Sequence, residues 1–421
     1  MSTFRKINNW LHLWLGLISG IIVFIVCITG CLWVFNDEII YLLEPEARIE
    51  KQEKAVIMPS QLMKIASEKH PGLPVSYATY QQGRAIYLGL GERRGPNVSM
   101  RVDPYTGKVI SEKVHKEGET DFFRWALNGH RFLWLPFEIG RPIVNYGTLV
   151  FVILLITGLV WWYPKKWTQS TRDKSFKIKW NGTWKRINLD LHNVLGFYSL
   201  LFLLAIALTG MVYGIEWYSD GLYWVTSGGD KLEERSRVKS DSINANKFFT
   251  PEQAIDKAWL TVINRYPKSK GFYYSFPNPK RASAAIFVTV YPSSGQFYNS
   301  LSHTFDQHTV KELPGNKIYG RPFEEAGFGG KLRRMNYDIH VGSILGFPGK
   351  VLAFLCTLIG ASLPVTGFIV WWNRKGFGGK KKGKKVKSPG LQREMETVAA
   401  ADTTVKKAFK PKAQKPADRF S

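Results

Sequence analysis

Four of the eight histidines in this 421-residue chain occupy matched places in a doubled sequence. Imidazole is the side chain that binds transition metals and moves protons near neutral pH. The stretch Ile7-Asn8-Asn9-Trp10-Leu11-His12-Leu13-Trp14-Leu15-Gly16 returns as Ile187-Asn188-Leu189-Asp190-Leu191-His192-Asn193-Val194-Leu195-Gly196, with six of ten positions identical. Each of these histidines is followed 17 positions later by Thr-Gly, at Thr29-Gly30 and Thr209-Gly210. His130 and His340 form a second matched set. Each lies 32 residues before the last tryptophan of a pair, Trp161-Trp162 and Trp371-Trp372, with Thr157-Gly158 and Thr366-Gly367 just ahead of the tryptophans. Histidine at the edge of apolar sequence is rare and marks a functional site by default.

The repeat pairs these histidines by depth, His12 with His192 and His130 with His340. Two imidazole nitrogens are too few for structural zinc, which takes four protein ligands. A macrocycle that brings four nitrogens of its own needs only two axial ligands, and two histidines suit b-type haem. The chain has no Cys-x-x-Cys-His, so such a group would be held without covalent attachment. The expectation is therefore two haem b, with iron bound by His12 and His192 and by His130 and His340. Gly16 and Gly196 clear the helix face four residues beyond His12 and His192, where a flat ring could approach the backbone. The four Thr-Gly pairs read as close-packing points, each threonine hydroxyl bonded back along its own helix.

The remaining candidates are weaker. His303 and His308 alternate with Thr304 and Asp306, and Arg333 and Arg334 precede the fourth apolar block, so these four are the candidate contacts for an anionic substrate. His70 and His115 read as solvated surface residues. Trp10, Trp14, Trp161, Trp162, Trp371 and Trp372 read as an interfacial aromatic belt. Cys27, Cys31 and Cys356 all fall in apolar blocks and cannot build a disulfide framework.

The elements that position the histidines follow from hydropathy. Residues 10–35, 142–163, 188–215 and 346–372 are each long enough for a membrane-spanning helix of roughly 20 residues. The first is too long for a signal-peptide core and is read as retained. The net charge of +25 is unevenly spread: residues 1–6 carry +2, 164–186 carry +7 and 373–421 carry +11. Four spans put these three segments on one side, the positive-inside pattern. The expected location is the bacterial inner membrane with both termini cytoplasmic, and the basic excess marks contact with the lipid bilayer, with no nucleic acid as partner.

The outer segments read as α+β. In the first, a helix capped by Ser60 and closed by Pro71 precedes strands at 75–81 and 85–90, and 99–110 reads as strand, turn, strand around Asp103 and Gly107. In the second, Thr250-Pro251 with Gln253 opens a helix, strands follow at 284–291 and 295–305, and Asp306 stands where Asp103 stood. The predicted fold class is a membrane α-helical protein with four transmembrane helices in two helix–domain–helix repeats and two α+β domains. The expected boundaries are 1–35 first span; 36–128 first outer domain; 129–163 rim segment and second span; 164–186 basic loop; 187–215 third span; 216–335 second outer domain; 336–375 rim segment and fourth span; and 376–421 disordered basic tail.

Met58 to Ile110, with the turn Val102-Asp-Pro-Tyr-Thr-Gly-Lys-Val109, resembles a PepSY domain. The flanking Leu11-His12-x3-Gly16 and Leu191-His192-x3-Gly196, with His130 and His340 ahead of the even-numbered spans, resemble the PepSY-associated transmembrane helix family over roughly residues 4–375. That resemblance implies periplasmic PepSY-like domains and a dihaem ferric-siderophore reductase of iron acquisition. It would take electrons from a cytoplasmic reductase or quinol and pass them to ferric siderophore through haem on His12, His192, His130 and His340. The alternative it carries is a haem-free regulator of a periplasmic protease or signalling partner.

Overall fold

The structure, a computed structural model, describes residues 2–91, 97–116, 119–233, 238–242 and 248–376. The chain runs through α1 (Thr3–Val34), α2 (Asn36–Leu43) and α3 (Pro59–Lys69) into four strands, β1 (Val75–Gln81), β2 (Ile86–Gly91), β3 (Asn97–Val102) and β4 (Val109–His115). It returns through α4 (Phe122–Phe132), α5 (Phe137–Trp162), α6 (Gln169–Phe176), α7 (Trp184–Asp190) and α8 (Gly196–Met211), with one π turn, Leu191–Leu195, between the last two. The second half repeats the order with α9 (Glu216–Ser227), α10 (Pro251–Arg265), β5 (Gly271–Ser275), β6 (Ala285–Tyr291), β7 (Leu301–Asp306), β8 (Glu312–Leu313), α11 (Phe328–Val341) and α12 (Gly346–Arg374). Residues 377–421, and with them the expected tail, lie outside the described residues.

Four helical stretches among the described residues are long and apolar enough to cross a membrane: Thr3–Val34, Phe137–Trp162, Trp184–Met211 and Ser343–Arg374. They meet across the halves, with Val152 of α5 packed on Ala207 and Met211 of α8, and Val23 and Cys27 of α1 packed on Ala361 of α12. The even-numbered spans are preceded by separate short helices. Leu133 (φ 55°) and Trp134 (φ 56°) break α4 from α5, and Gly342 (φ 81°) and Gly346 (φ 67°) break α11 from α12.

The two outer segments, expected as separate domains, share one antiparallel sheet of order β4-β3-β2-β1-β5-β6-β7-β8. The join is β1 against β5, with Thr79 opposite Tyr273 and Gln81 opposite Gly271. Strand side chains alternate between faces. Ala78, Tyr80, Leu88, Met100, Tyr274, Val288 and Phe305 thus turn to one side, where Leu62 and Ala66 of α3 and Ala258, Trp259 and Val262 of α10 close a single core. Tyr80 stacks on Trp259 across the halves, ring centres 4.3 Å apart.

Ser60 does not cap α3 as expected. The helix starts two residues earlier with Met58 at the cap position, Gln61 Oε1 accepts from the Met58 amide (2.8 Å), and Ser60 turns to the other half. Its amide and hydroxyl donate to the two carboxylate oxygens of Asp256 on α10, at 2.9 and 2.5 Å. The helix at Thr250 opens with the expected reciprocal cap, Gln253 N to Thr250 Oγ1 and Thr250 N to Gln253 Oε1.

The Asp103 and Asp306 turns match in detail. Asp103 Oδ1 accepts from the amides of Tyr105 and Thr106, and Asp306 Oδ1 from those of His308 and Thr309. Where the first copy has Gly107 (φ 75°), the second has Val310 (φ 59°), a β-branched residue held in a conformation that costs about 1–3 kcal/mol. Burial works against ionisation of Asp306, but the amides of Thr309, His308 and Asp241 and the Thr309 hydroxyl outweigh it and hold the carboxyl below its usual range. A carboxyl lowered in the folded state stabilises above its unfolded pKa, about 4, and loses that contribution as pH falls through the folded value. Asp306→Ala, which leaves the part-buried amides of His308, Thr309 and Asp241 without their acceptor, is expected to destabilise the sheet unit by about 1–2 kcal/mol. Asp306→Asn is expected to flatten the acid limb of the unfolding curve below about pH 4. An acid limb unchanged in Asp306→Asn would show that the turn does not supply it.

Candidate functional site

The structure brings the four repeated histidines together as two pairs. The His12 and His192 ring centres are 6.3 Å apart with the planes crossed at 78°, and those of His130 and His340 are 6.1 Å apart at 60°. His12 lies on α1, and His192 in the π turn at the head of α8. His130 and His340 occupy the last turns of α4 and α11, so the second pair stands on helices that lean against the spans rather than on the spans themselves.

Each imidazole is seated on a Thr-Gly pair of another helix. His12 Nδ1 meets Thr157 Oγ1 at 3.0 Å, and His192 Nδ1 meets Thr366 Oγ1 at 2.9 Å. The backbone carbonyls of the same threonines are tied from one turn earlier, Asn8 Nδ2 to Thr157 O and Asn188 Nδ2 to Thr366 O, both 3.0 Å. His130 Nδ1 reaches Val26 O at 2.8 Å and His340 Nδ1 reaches Ile206 O at 2.9 Å, each beside a Thr-Gly. Asn336 Nδ2 donates to Thr209 O at 3.1 Å, repeating the asparagine device for His340 of the second pair. The glycines make the seats. A Cβ on Gly30, Gly158, Gly210 or Gly367 would come within 3.1–3.2 Å of the Cε1 atom of His130, His12, His340 or His192.

These contacts fix the proton. The hydroxyls of Thr157 and Thr366 donate to the carbonyls of Ile153 (2.9 Å) and Ser362 (2.9 Å), so only their lone pairs remain for the imidazoles. A carbonyl can only accept, which sets His130 and His340 the same way. Each Nδ1 therefore carries the proton and donates, and Nε2 keeps the lone pair that binds a metal. The threonines do bond back along their helices as the sequence implied; their second role, as acceptors for histidines on neighbouring helices, was not read from the sequence.

Among the described residues no group of three or more His, Cys, Asp or Glu could hold a metal ion. A metal–imidazole bond of about 2.0 Å, plus about 1.1 Å from nitrogen to ring centre, puts two opposed ligands of one metal roughly 6 Å apart, centre to centre. Both pairs have that separation. They fit a metal that brings its remaining donors with it. Beside the first pair lies a small cavity, partly open to solvent, lined by Leu154, Trp161, Trp162, Gly196, Phe197 and Leu363. Trp161 and Trp162 thus face this cavity, and Trp162 stacks on Phe197 at 3.8 Å, while Trp10 and Trp14 stay exposed as the belt reading expected. His12 to Val26 and His192 to Ile206 are each 14 residues, about 21 Å of helix, so both pairs fit within one hydrocarbon layer of about 30 Å.

The four candidate substrate contacts lie elsewhere. Arg334 is a correction: it is buried, and its guanidinium donates to the carbonyls of Tyr298, Ser300, Ile318 and Arg321, so it clamps an irregular segment onto α11. With Asp338 accepting from the Phe297 amide (3.1 Å), it fixes the helix that carries His340. Arg333 donates to Ser219 Oγ of α9 at 2.8 Å. His303 is buried in β7 with Nδ1 on Glu312 (2.6 Å), and that carboxylate also takes Arg265. His308 sits on the Asp306 turn with Nε2 3.0 Å from Ala282 O. None of the four lines the cavity beside His12 and His192.

Replacing Gly158 by leucine is expected to push the His12 ring off its seat and open the first pair while the second stays intact. A structure of that variant with the His12 and His192 centres still about 6.3 Å apart would refute the seating argument.

No curated protein matches the chain. The family model described as PepSY-associated TM region matches residues 9–374, most of the chain and all four histidines. The protein is a multi-pass membrane member of the PepSY-associated TM region family.

Proposed function

We propose that this chain is a dihaem b-type cytochrome of the bacterial inner membrane that passes electrons outward and reduces ferric siderophore in the periplasm, releasing ferrous iron. The observation that carries the reading is the doubled imidazole pair, each ring with Nδ1 engaged and Nε2 free, at a separation suited to one metal between them. His12 with His192 would hold the inner haem and His130 with His340 the outer one. When bound, haem supplies one-electron redox chemistry at iron. The chain's own residues do the rest. Thr157, Thr366 and the carbonyls of Val26 and Ile206 hold the imidazoles in the ligating tautomer, and Asn8, Asn188 and Asn336 tie down the strands of backbone that present those acceptors. The basic segments 1–6 and 164–186 support a cytoplasmic inner end. Ferric iron in oxygen-donor chelates is the harder ion, so reduction loosens the chelate and frees the metal.

The test is haem content. Wild-type protein is expected to carry two haem b per chain. His12→Ala or His192→Ala should each remove the same one, and His130→Ala or His340→Ala the other, read from reduced-minus-oxidised spectra. Reduced protein should then be reoxidised by a ferric hydroxamate. Protein without a Soret band after haem supplementation would sink this reading and leave the haem-free regulator.

A further inference from the structure

The segment that closes the inner end is built over the first histidine pair. Trp162 and Phe197 line the cavity beside His12 and His192 and stack on each other at 3.8 Å. Phe176 of α6 packs edge-on to Trp162 at 5.2 Å, and Trp167 lies 5.9 Å from Trp162 and 6.0 Å from Phe176. Trp162 Nε1 donates to Ser175 O, which pins α6 to the end of α5. Trp167 is 43% exposed, so one continuous aromatic seam runs from the cavity wall to the surface. Around it, Lys165, Lys166, Arg172 and Lys174 are exposed and have no ion-pair partner among the described residues, whereas Lys177 is spent on Asp173 at 3.0 Å.

The cavity lining itself narrows the choice of electron donor. Quinol oxidation releases two protons and needs groups to take them. The lining offers apolar side chains, tryptophans, glycines, Asn193 and the two imidazoles, with no carboxylate and no hydroxyl.

We propose that the surface around Trp167, formed by Lys165, Lys166, Arg172 and Lys174, docks a soluble acidic one-electron carrier protein, of the flavin or iron–sulfur class, as the donor to the inner site. This rests on the dihaem reading. One electron would leave the reduced carrier, oxidising it by one unit, and would reduce a ferric haem held by His12 and His192 to ferrous; no proton need move. Positive charge speeds encounter with an acidic partner and orients it, and the aromatic seam brings the carrier's cofactor close to the cavity. A strip that served only anionic lipid heads would need the charges but not the seam.

The test uses full-length protein in nanodiscs of neutral lipid, with photoreduced flavodoxin as the acidic probe. Stopped-flow reduction of the wild type is expected to slow about tenfold from low to high salt, and by a similar factor in Lys165→Glu/Lys166→Glu/Arg172→Glu/Lys174→Glu. Flavodoxin binding, measured by interferometry on haem-loaded and haem-free protein alike, should weaken in parallel. Lys165→Arg/Lys166→Arg/Lys174→Arg should behave as wild type, and dithionite should reduce every variant equally. Unchanged rate and binding in the glutamate variant would overturn the docking surface. So would reduction by a ubiquinol analogue at a rate matching flavodoxin's, or a variant whose sole defect is binding to phosphatidylglycerol vesicles. Absence of haem from all preparations would instead remove the dihaem reading, while the binding arm still judged the surface.

Discussion

Everything in this structure that bears on chemistry depends on one hydrogen bond made four times, from an imidazole Nδ1 to an oxygen on a neighbouring helix. In a low-dielectric layer an unpaired ring N–H is costly, so each bond both fixes the histidine and chooses its tautomer. A bond of this kind needs the two backbones close together, and glycine beside each threonine permits that approach. The packing of α1 on α5, and of the π turn and α8 on α12, is thus the same fact as the orientation of the rings.

The halves divide the work in a definite way. Each half builds its own seats: His12 and His130 rest on Thr157 and Val26 of the first half, His192 and His340 on Thr366 and Ile206 of the second. The facing of ring against ring then happens between halves, along contacts such as Val152 with Ala207 and Cys27 with Ala361. The eight-stranded sheet ties the halves a second time through β1 and β5 and through Ser60 with Asp256. Arg334 and Asp338 carry the rigidity of the sheet unit to His340.

The repeat made much of this legible. Matched spacing, 17 residues from His12 and His192 to Thr-Gly and 32 from His130 and His340 to the last tryptophan of a pair, put four imidazoles at two depths, and their pairing needed no more than symmetry. The seats were hidden because they require knowing which helix lies beside which, and local sequence gives only the apolar face. Within the apolar spans Thr-Gly occurs four times, once per repeated histidine, and that equality was the available signal. The single sheet was hidden by β5, five residues long and opening on glycine, too short to show alternation. Arg334 misled because charge near a membrane edge suggests an outward role. The irregular stretches before β7 and after β8 leave the carbonyls of Tyr298, Ser300, Ile318 and Arg321 without strand partners, and a buried guanidinium with its fork of donors is what satisfies them.

The β1–β5 join also says what the smallest complete unit of this architecture is. One half alone would end its sheet at the bare edge of β1, an invitation to pair with another chain. It would also hold two seated imidazoles with nothing opposite. Strand pairing across an approximate twofold cures both defects at once, as it would in a symmetric homodimer of single halves. In this chain the two copies are covalently linked, so the stoichiometry of the assembled site no longer varies with protein concentration. Once linked, each half is free to diverge, and the asparagine at position 336 with alanine at the corresponding 126 is one place where they already have.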